Sequence, residues 1–426
     1  MRDRQLQSLL LAVLSPNSRV DGNELASLNS QDWELLMRWV HEKRLASLLD
    51  WTLRQKKCNT VIPVSITEVL QSNRKQSVLR NLMIAADLQK VARLLDAANI
   101  PYQALKGAFL STRCYPEIDL RPMRDIDILV PRDTIMAAYS VLIRQGWQLP
   151  EGSPPQEAFI NYNHKHLPGL VSPNKLVSLE LHHRLSTTRH KGGDFPDLTT
   201  SPGYWQRTIE ADVFGQRIRF PSPTDSLLHL IQHAVIDHSF ENGPLTLSDL
   251  AYLLGRETID WSLFWENARL TGALRPASIA FTLLETFWGP QPLKWPEDLG
   301  EVQLARASPQ CVELASRLLF RDRERHSELS LINDLDSKRT IFGKTEVIGR
   351  RLFPKRADMI KMYSLPPETQ FVWRQYPRHL YRVFRHRAPA FLKIRNLGLH
   401  RADNSDLAEL TQWLIADTTD DQSPTT

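Results

Sequence analysis

The ten residues Arg121-Pro122-Met123-Arg124-Asp125-Ile126-Asp127-Ile128-Leu129-Val130 alternate acids with apolar side chains at the two-residue period of a β-strand. Asp125 and Asp127 therefore share one face, while Ile126, Ile128 and Val130 take the other. Burial of the apolar set fixes the register, because a one-residue slip would turn every side chain to the wrong side. Both carboxylates are then left on the same open face. Two acids so close repel unless a cation intervenes. Magnesium suits the place, since it binds through one or two carboxylates with phosphate oxygens and water completing an octahedron. A D-x-D on a strand is also a common solvated face, so its neighbours decide its meaning.

Those neighbours point to phosphate chemistry. Val177-Ser178-Leu179-Glu180-Leu181-His182-His183-Arg184-Leu185 alternates in the same way, with Val177, Leu179 and Leu181 inward and Glu180, His182 and Arg184 outward. Glu180 is expected to complete the acidic set from a neighbouring strand. Three carboxylates can hold two metals roughly 3.5 to 4 Å apart, a geometry for in-line transfer at phosphorus. Lys106-Gly107 follows a short strand read at Tyr102, Ala104 and Leu105. A glycine there admits close backbone approach to phosphate, and a lysine supplies a point charge. Arg121 and Arg124 flank the acids; Arg121 is favoured for bidentate phosphate contact, with pairing to Glu117, Asp119 or Asp133 as the structural alternative. His182 shares the side of Glu180 and could touch a phosphate, whereas His183 points the other way. The expected catalytic and metal-holding residues are Asp125, Asp127 and Glu180, and the nucleotide-binding residues Lys106, Gly107, Arg121 and His182.

Leu105-Lys106-Gly107, then Arg121, then Asp125 to Val130, then Leu179-Glu180-Leu181-His182 resembles the uncharacterised bacterial nucleotidyltransferase family of the DNA polymerase β-like superfamily. Leu230-Ile231-Gln232-His233-Ala234, Ser248-Asp249-Leu250 and the stretch from Phe353-Pro354 to Tyr381 extend the likeness to most of the chain, roughly from Trp33 to Arg385. The resemblance implies an α+β, polymerase β-like mixed-sheet domain flanked by helical regions, and metal, magnesium or manganese, on Asp125, Asp127 and Glu180. It also implies transfer of a nucleoside monophosphate from an NTP to an acceptor, with His233 and Asp249 placed to position that acceptor. Two departures from the superfamily pattern stand out. Lys106-Gly107 occupies the place of the usual Gly-Ser, and the gap from Gly107 to Asp125 is long, so an insertion from Cys114 to Pro122 has to fold aside.

At 426 residues the chain exceeds what one core usually serves. The expected organisation is a helical lead-in over 1–99, the sheet domain over 100–222, a helical domain over 223–335, a basic helical and loop segment over 336–401, and an acidic C-terminal helix with a frayed tail over 402–426. Trp33, Leu36, Trp39 and Val40 recur at helical spacing, a second helical stretch runs over about 78–98, and Thr224-Asp225 is read as a cap. Apolar residues at 42% and charged residues at 24% exclude wholesale disorder. Arg2 and Arg4 before Leu9 to Leu14 look superficially like a signal peptide, but the short apolar run closed by Ser15-Pro16 reads as an amphipathic helix. No stretch approaches the ~20 apolar residues of a membrane span. Three scattered cysteines, Cys58, Cys114 and Cys311, give neither a disulfide framework nor a zinc ribbon, so the cytoplasm is the expected compartment.

Other features are weighed against plainer readings. His229 and His233, four apart with Asp225, Asp237 and His238 nearby, could present two imidazoles to zinc, yet helix histidines at that spacing are commonly just half-buried. His164, Lys165 and His166 lie in a loop, read over 150–174, that could cover a site. Trp373, Tyr376, Tyr381 and Phe384 interleave with Arg374, Arg378, Arg382 and Arg385, a composition able to stack nucleic-acid bases; an amphipathic packing face with snorkelling arginines explains it more simply. The rival to an enzyme is a catalytically silent nucleotide-binding protein, or a nucleic-acid-associating one using the basic C-terminal third.

Overall fold

The computed structural model describes residues 2–149, 165–186, 195–296, 306–321, 352–354, 356, 359, 371–381, 409–411 and 413–414. The chain opens with α1 (Arg2–Leu14), α2 (Gly22–Ala26), α3 (Ser30–Glu42), α4 (Ala46–Gln55) and the long α5 (Val64–Ala97). Helix α1 buries Leu6, Leu9, Leu10, Val13 and Leu14 and stops before Ser15-Pro16, as its pattern predicts. Helix α3 starts with a capping box, in which Asn29 accepts from the Asp32 backbone and Asp32 accepts from that of Asn29. The 34 residues of α5 extend about 51 Å. Its inner stripe of Leu70, Ser77, Asn81, Ile84, Leu88, Val91 and Leu95 repeats at three- and four-residue spacing. The sequence revealed this helix only from about 78, because Leu70 alone is buried over 64–76 and no apolar stripe marks that half.

The sheet follows: β1 (Gln103–Ala104), β2 (Asp125–Leu129), β3 (Leu170–Val171) and β4 (Ser178–His182), in the order β1-β2-β4-β3. Strands β2 and β4 are parallel and β1 and β3 pair antiparallel at the edges. A parallel pair needs a crossover, and α7 (Ile135–Arg144) supplies it, after the single turn α6 (Gly107–Phe109) earlier in the chain. In the β2–β4 register Asp127 faces Glu180, Asp125 faces Ser178 and Leu129 faces His182. Ile126, Ile128, Val130, Leu179 and Leu181 are fully buried on the opposite face, each contributing about 1.5–3 kcal/mol of burial.

A hairpin, β5 (Ile209–Val213) with β6 (Gln216–Phe220), was not legible at first sight. Its turn takes positive φ at both Phe214 and Gly215, the two-residue connection that matches strand twist. The helical region comprises α8 (Pro223–Ile231), a π-helical turn over Gln232–Asp237, α9 (Pro244–Arg256), α10 (Trp261–Leu270), α11 (Leu274–Trp288) and α12 (Pro309–Leu319). The cap of α8 is Ser222 with Pro223 behind it, in place of Thr224-Asp225; Asp225 instead accepts two bonds from Arg207 at 2.9 Å. One continuous core runs from Leu10 through Val40, Leu88, Ile128 and Phe220 to Leu250 and Phe281. Among the described residues no helix is long and apolar enough to cross a membrane.

His164 and most of the covering loop, the segment beyond 321 up to 351, and Arg382, Phe384 and Arg385 lie outside the described residues, as does most of the acidic C-terminal stretch. Of the aromatic and basic series that is described, Trp373 and Tyr381 are largely exposed, with the Arg374 guanidinium over the rings of Phe371 and Trp373.

Candidate functional site

The open face of the β2–β4 pair carries a compact set of donors. His182 Nε2 lies 2.8 Å from Asp127 Oδ1 and 3.4 Å from Glu180 Oε2. Asp127, Glu180 and His182 each offer a ligand atom within 4.8 Å of the others, and among the described residues no other such cluster forms; the His229 and His233 pair does not make one. Backbone pairing dictates this: Asp127 and Glu180 are direct partners across the parallel ladder, and His182 follows Glu180 at the next position on the same face. Asp127 is 6% exposed and His182 is 0% exposed, while the Glu180 side chain at 31% forms the open rim. Two carboxylate oxygens and an imidazole nitrogen make a donor set that fits a divalent cation.

Lys106 enters this set from the end of β1, where the Leu105 amide donates to the Asp127 carbonyl at 2.9 Å. Its Nζ is 3.3 Å from Asp127 Oδ1. The backbone here has φ +46° and ψ −109°, a region that glycine tolerates and other residues enter at about 1–3 kcal/mol. The lysine thus occupies a turn conformation that glycine adopts more readily. Burial disfavours the ammonium, yet the charges of Asp127, Glu180 and Asp125 outweigh it and raise the Lys106 pKa. Burial also works against an ionised Asp127, but Lys106 and the His182 hydrogen bond hold it well below the usual carboxylate range. Asp125 goes the other way: burial, and then repulsion from Asp127, push it up to about 6. Glu180 is lowered, with the His182 hydrogen bond overcoming its burial.

Arg121 was expected on phosphate and Asp249 beside an acceptor; the structure joins them to each other. Arg121 donates from Nε and Nη2 to the two Asp249 oxygens at 3.2 and 3.0 Å, and Tyr115 donates its hydroxyl to Oδ1 at 2.8 Å. Glu117 and Asp119, the partners foreseen for this arginine, are taken by Arg74 of α5. Arg121 also explains Gly107, where a Cβ would stand 2.9 Å from its Nη1. The segment between Gly107 and Asp125 does fold aside, as a π-helical turn over Leu110–Cys114 and a 3-10 turn over Ile118–Leu120. Asn81 of α5 pins it: Nδ2 donates to the carbonyls of Ile118 and Arg121, and Oδ1 accepts from the Met123 amide at 2.8 Å.

A wall of histidines completes the surroundings. His166 bridges to His182 across the sheet edge, with Nε2 3.6 Å from Glu180 Oε2 and Nδ1 2.7 Å from the Leu167 carbonyl. From the sequence only its loop was legible as a possible cover; its bridge to β4, which brings it to the site, has no periodicity to betray it. His233 sits in the π-helical turn after α8, 3.6 Å from Asp237, which Lys165 also pairs at 2.8 Å. Such turns recur at functional sites because the inserted residue re-aims the side chains around it. Burial, and then the charge of Lys106, hold both His229 and His233 well below the usual imidazole range, so both rings are neutral.

Residues 29–289 match the model of a family described as uncharacterised nucleotidyltransferases. The match ends well before Arg385, so the likeness read further along the chain, including Phe353-Pro354, is not part of it. Comparisons with curated proteins and with solved structures return no match.

Proposed function

Because the chain belongs to the uncharacterised nucleotidyltransferase family, we propose that it transfers a nucleoside monophosphate from an NTP to an acceptor, using a polymerase β-like arrangement of Asp125, Asp127 and Glu180. The observation that carries this reading is the juxtaposition of Asp127, Glu180 and His182 within 4.8 Å on two adjacent parallel strands, with Lys106 beside them. Asp127 and Glu180 would hold a divalent ion, with Asp125 beside them on the same strand face. Such an ion supplies charge neutralisation for the acids and for the phosphate oxygens. Lys106 contributes a second positive charge that needs no reorganisation, since its strained backbone already aims it at the acids. Gly107 lets the Arg121 guanidinium pack against the main chain beside Lys106. Arg121, held by Asp249, stiffens the turn that presents Lys106, and its charge acts on Asp125. Until an ion takes its Nε2, His182 orients Asp127 through that nitrogen, and His233 lines the wall on which an acceptor is positioned.

The contact between Lys106 and Asp127 also favours a second reading, a catalytically silent nucleotide-binding protein, because the lysine satisfies part of the acidic charge by itself. Thermal unfolding with each NTP, with and without magnesium or manganese, tests both. A ligand at one hundred times its Kd stabilises by about 2.7 kcal/mol. The transferase reading predicts that at least one NTP raises Tm only when a divalent ion is present. Stabilisation that ignores the ion favours the silent binder, and no response to any NTP removes both.

A further inference from the structure

We propose that the centre takes a first-row transition dication in preference to magnesium, with His182 Nε2 as a donor beside Asp127 and Glu180. The inference rests on the site proposed above and specifies its ion. Size is the first argument. Neighbouring donors around a six-coordinate ion, each at about 2.1 Å, stand about 3 Å apart. The 2.8 and 3.4 Å separations of His182 Nε2 from Asp127 Oδ1 and Glu180 Oε2 match two edges of such a coordination face.

Fixity is the second argument. Val130 donates its amide to the His182 carbonyl at 2.9 Å, and the ring is wholly buried. Nδ1 is buried and has no hydrogen-bond partner, so the polar contacts of the imidazole all go to the acids. Chemistry is the third. Carboxylates alone suit magnesium and manganese alike, whereas an imidazole nitrogen favours transition ions. Lys106, 3.3 Å from Asp127, repels any arriving cation, and the stronger bond to nitrogen offsets that repulsion. His166 is farther away, 3.6 Å from Glu180, and is assigned no place among the donors.

Manganese alone, added to the full chain, is the probe, and electron spin-echo modulation reads any nitrogen bound to it. The wild type is expected to show 14N modulation that changes to the 15N pattern when the protein carries 15N-histidine. His182→Gln should abolish it and His166→Gln should keep it, and His182→Gln should lower the preference for manganese over magnesium, as the ratio of their Kd values, at least tenfold. Bound manganese without nitrogen coupling, coupling that survives His182→Gln, or no manganese binding at millimolar concentration overturns the proposal. The isotope comparison uses only wild type, so a variant that fails to fold does not protect the idea. Label transfer from an NTP, measured on the same preparation, separates the two claims. Transfer without nitrogen coupling removes the ion assignment and leaves the transferase; coupling without transfer does the reverse.

Discussion

Asp125 and Asp127 stand on one strand face, yet their carboxyl groups are displaced in opposite directions. Asp127 has Lys106 and His182 as partners, whereas Asp125 has burial and the Asp127 charge against it and titrates near 6, against an ordinary 3.8. Between those two values the folded chain holds a proton at Asp125 that the unfolded chain has lost, so the contribution of this residue to stability falls as pH rises through that window. Asp125→Asn is therefore expected to be more stable than the wild type at pH 8 by about 3 kcal/mol, with no advantage at or below the ordinary value. Urea unfolding at pH 3.5 and pH 8 measures this, and a pH-independent difference would contradict it. The period-two alternation made Asp125, Asp127, Glu180 and His182 legible as one face before any coordinates. It could not show that Asp125 would differ from Asp127, because that depends on Lys106 arriving through a turn whose positive φ no pattern announces.

The elements explain where reading by local pattern ends. Helix α5 serves as the platform for the whole segment before β2, through Arg74, Arg80 and Asn81, yet those polar residues on an otherwise unremarkable helix carry no sequence mark of that duty. The Arg121–Asp249 pair is a contact between the entry to β2 and helix α9, separated by 128 residues, and only the fold brings it about. Removing one partner of a buried ion pair costs about 3–5 kcal/mol, because the other charge is left without compensation. Arg121→Met and Asp249→Leu are each expected to destabilise by that amount, and the double variant by at least 2 kcal/mol less than their sum. A double-mutant cycle by denaturant unfolding gives the coupling directly; additive losses would show that the pair does not join these elements. Strands β2 and β4 emerged from the sequence because one face is apolar throughout, and the hairpin did not, since only three of the ten residues of β5 and β6 are buried.

At the scale of the molecule, the change from helices to sheet and back is visible in the periodicity, and the structure makes it between α5 and β1 and again between β6 and α8. The core nevertheless runs without interruption through all three parts, so the helical lead-in and the α8–α9 region form walls around one acidic face. That closure was beyond local reading, as were Lys165, His166 and Asp237, which meet only because the 165–167 stretch pairs with β4 and the π-helical turn lies opposite. The whole assembly has one functional premise: an ionised Asp127 that holds a divalent ion at the centre of the face. The direct test uses an NTP labelled at the α-phosphorus, incubated with cell extract and divalent ion, with wild type or with Asp127→Asn shown to be folded by circular dichroism. The account predicts label passing to an acceptor with the wild type, loss by chelation, and at least a hundredfold reduction in the variant, about 2.7 kcal/mol of barrier. Equal transfer by wild type and Asp127→Asn, or transfer indifferent to chelator, would contradict it.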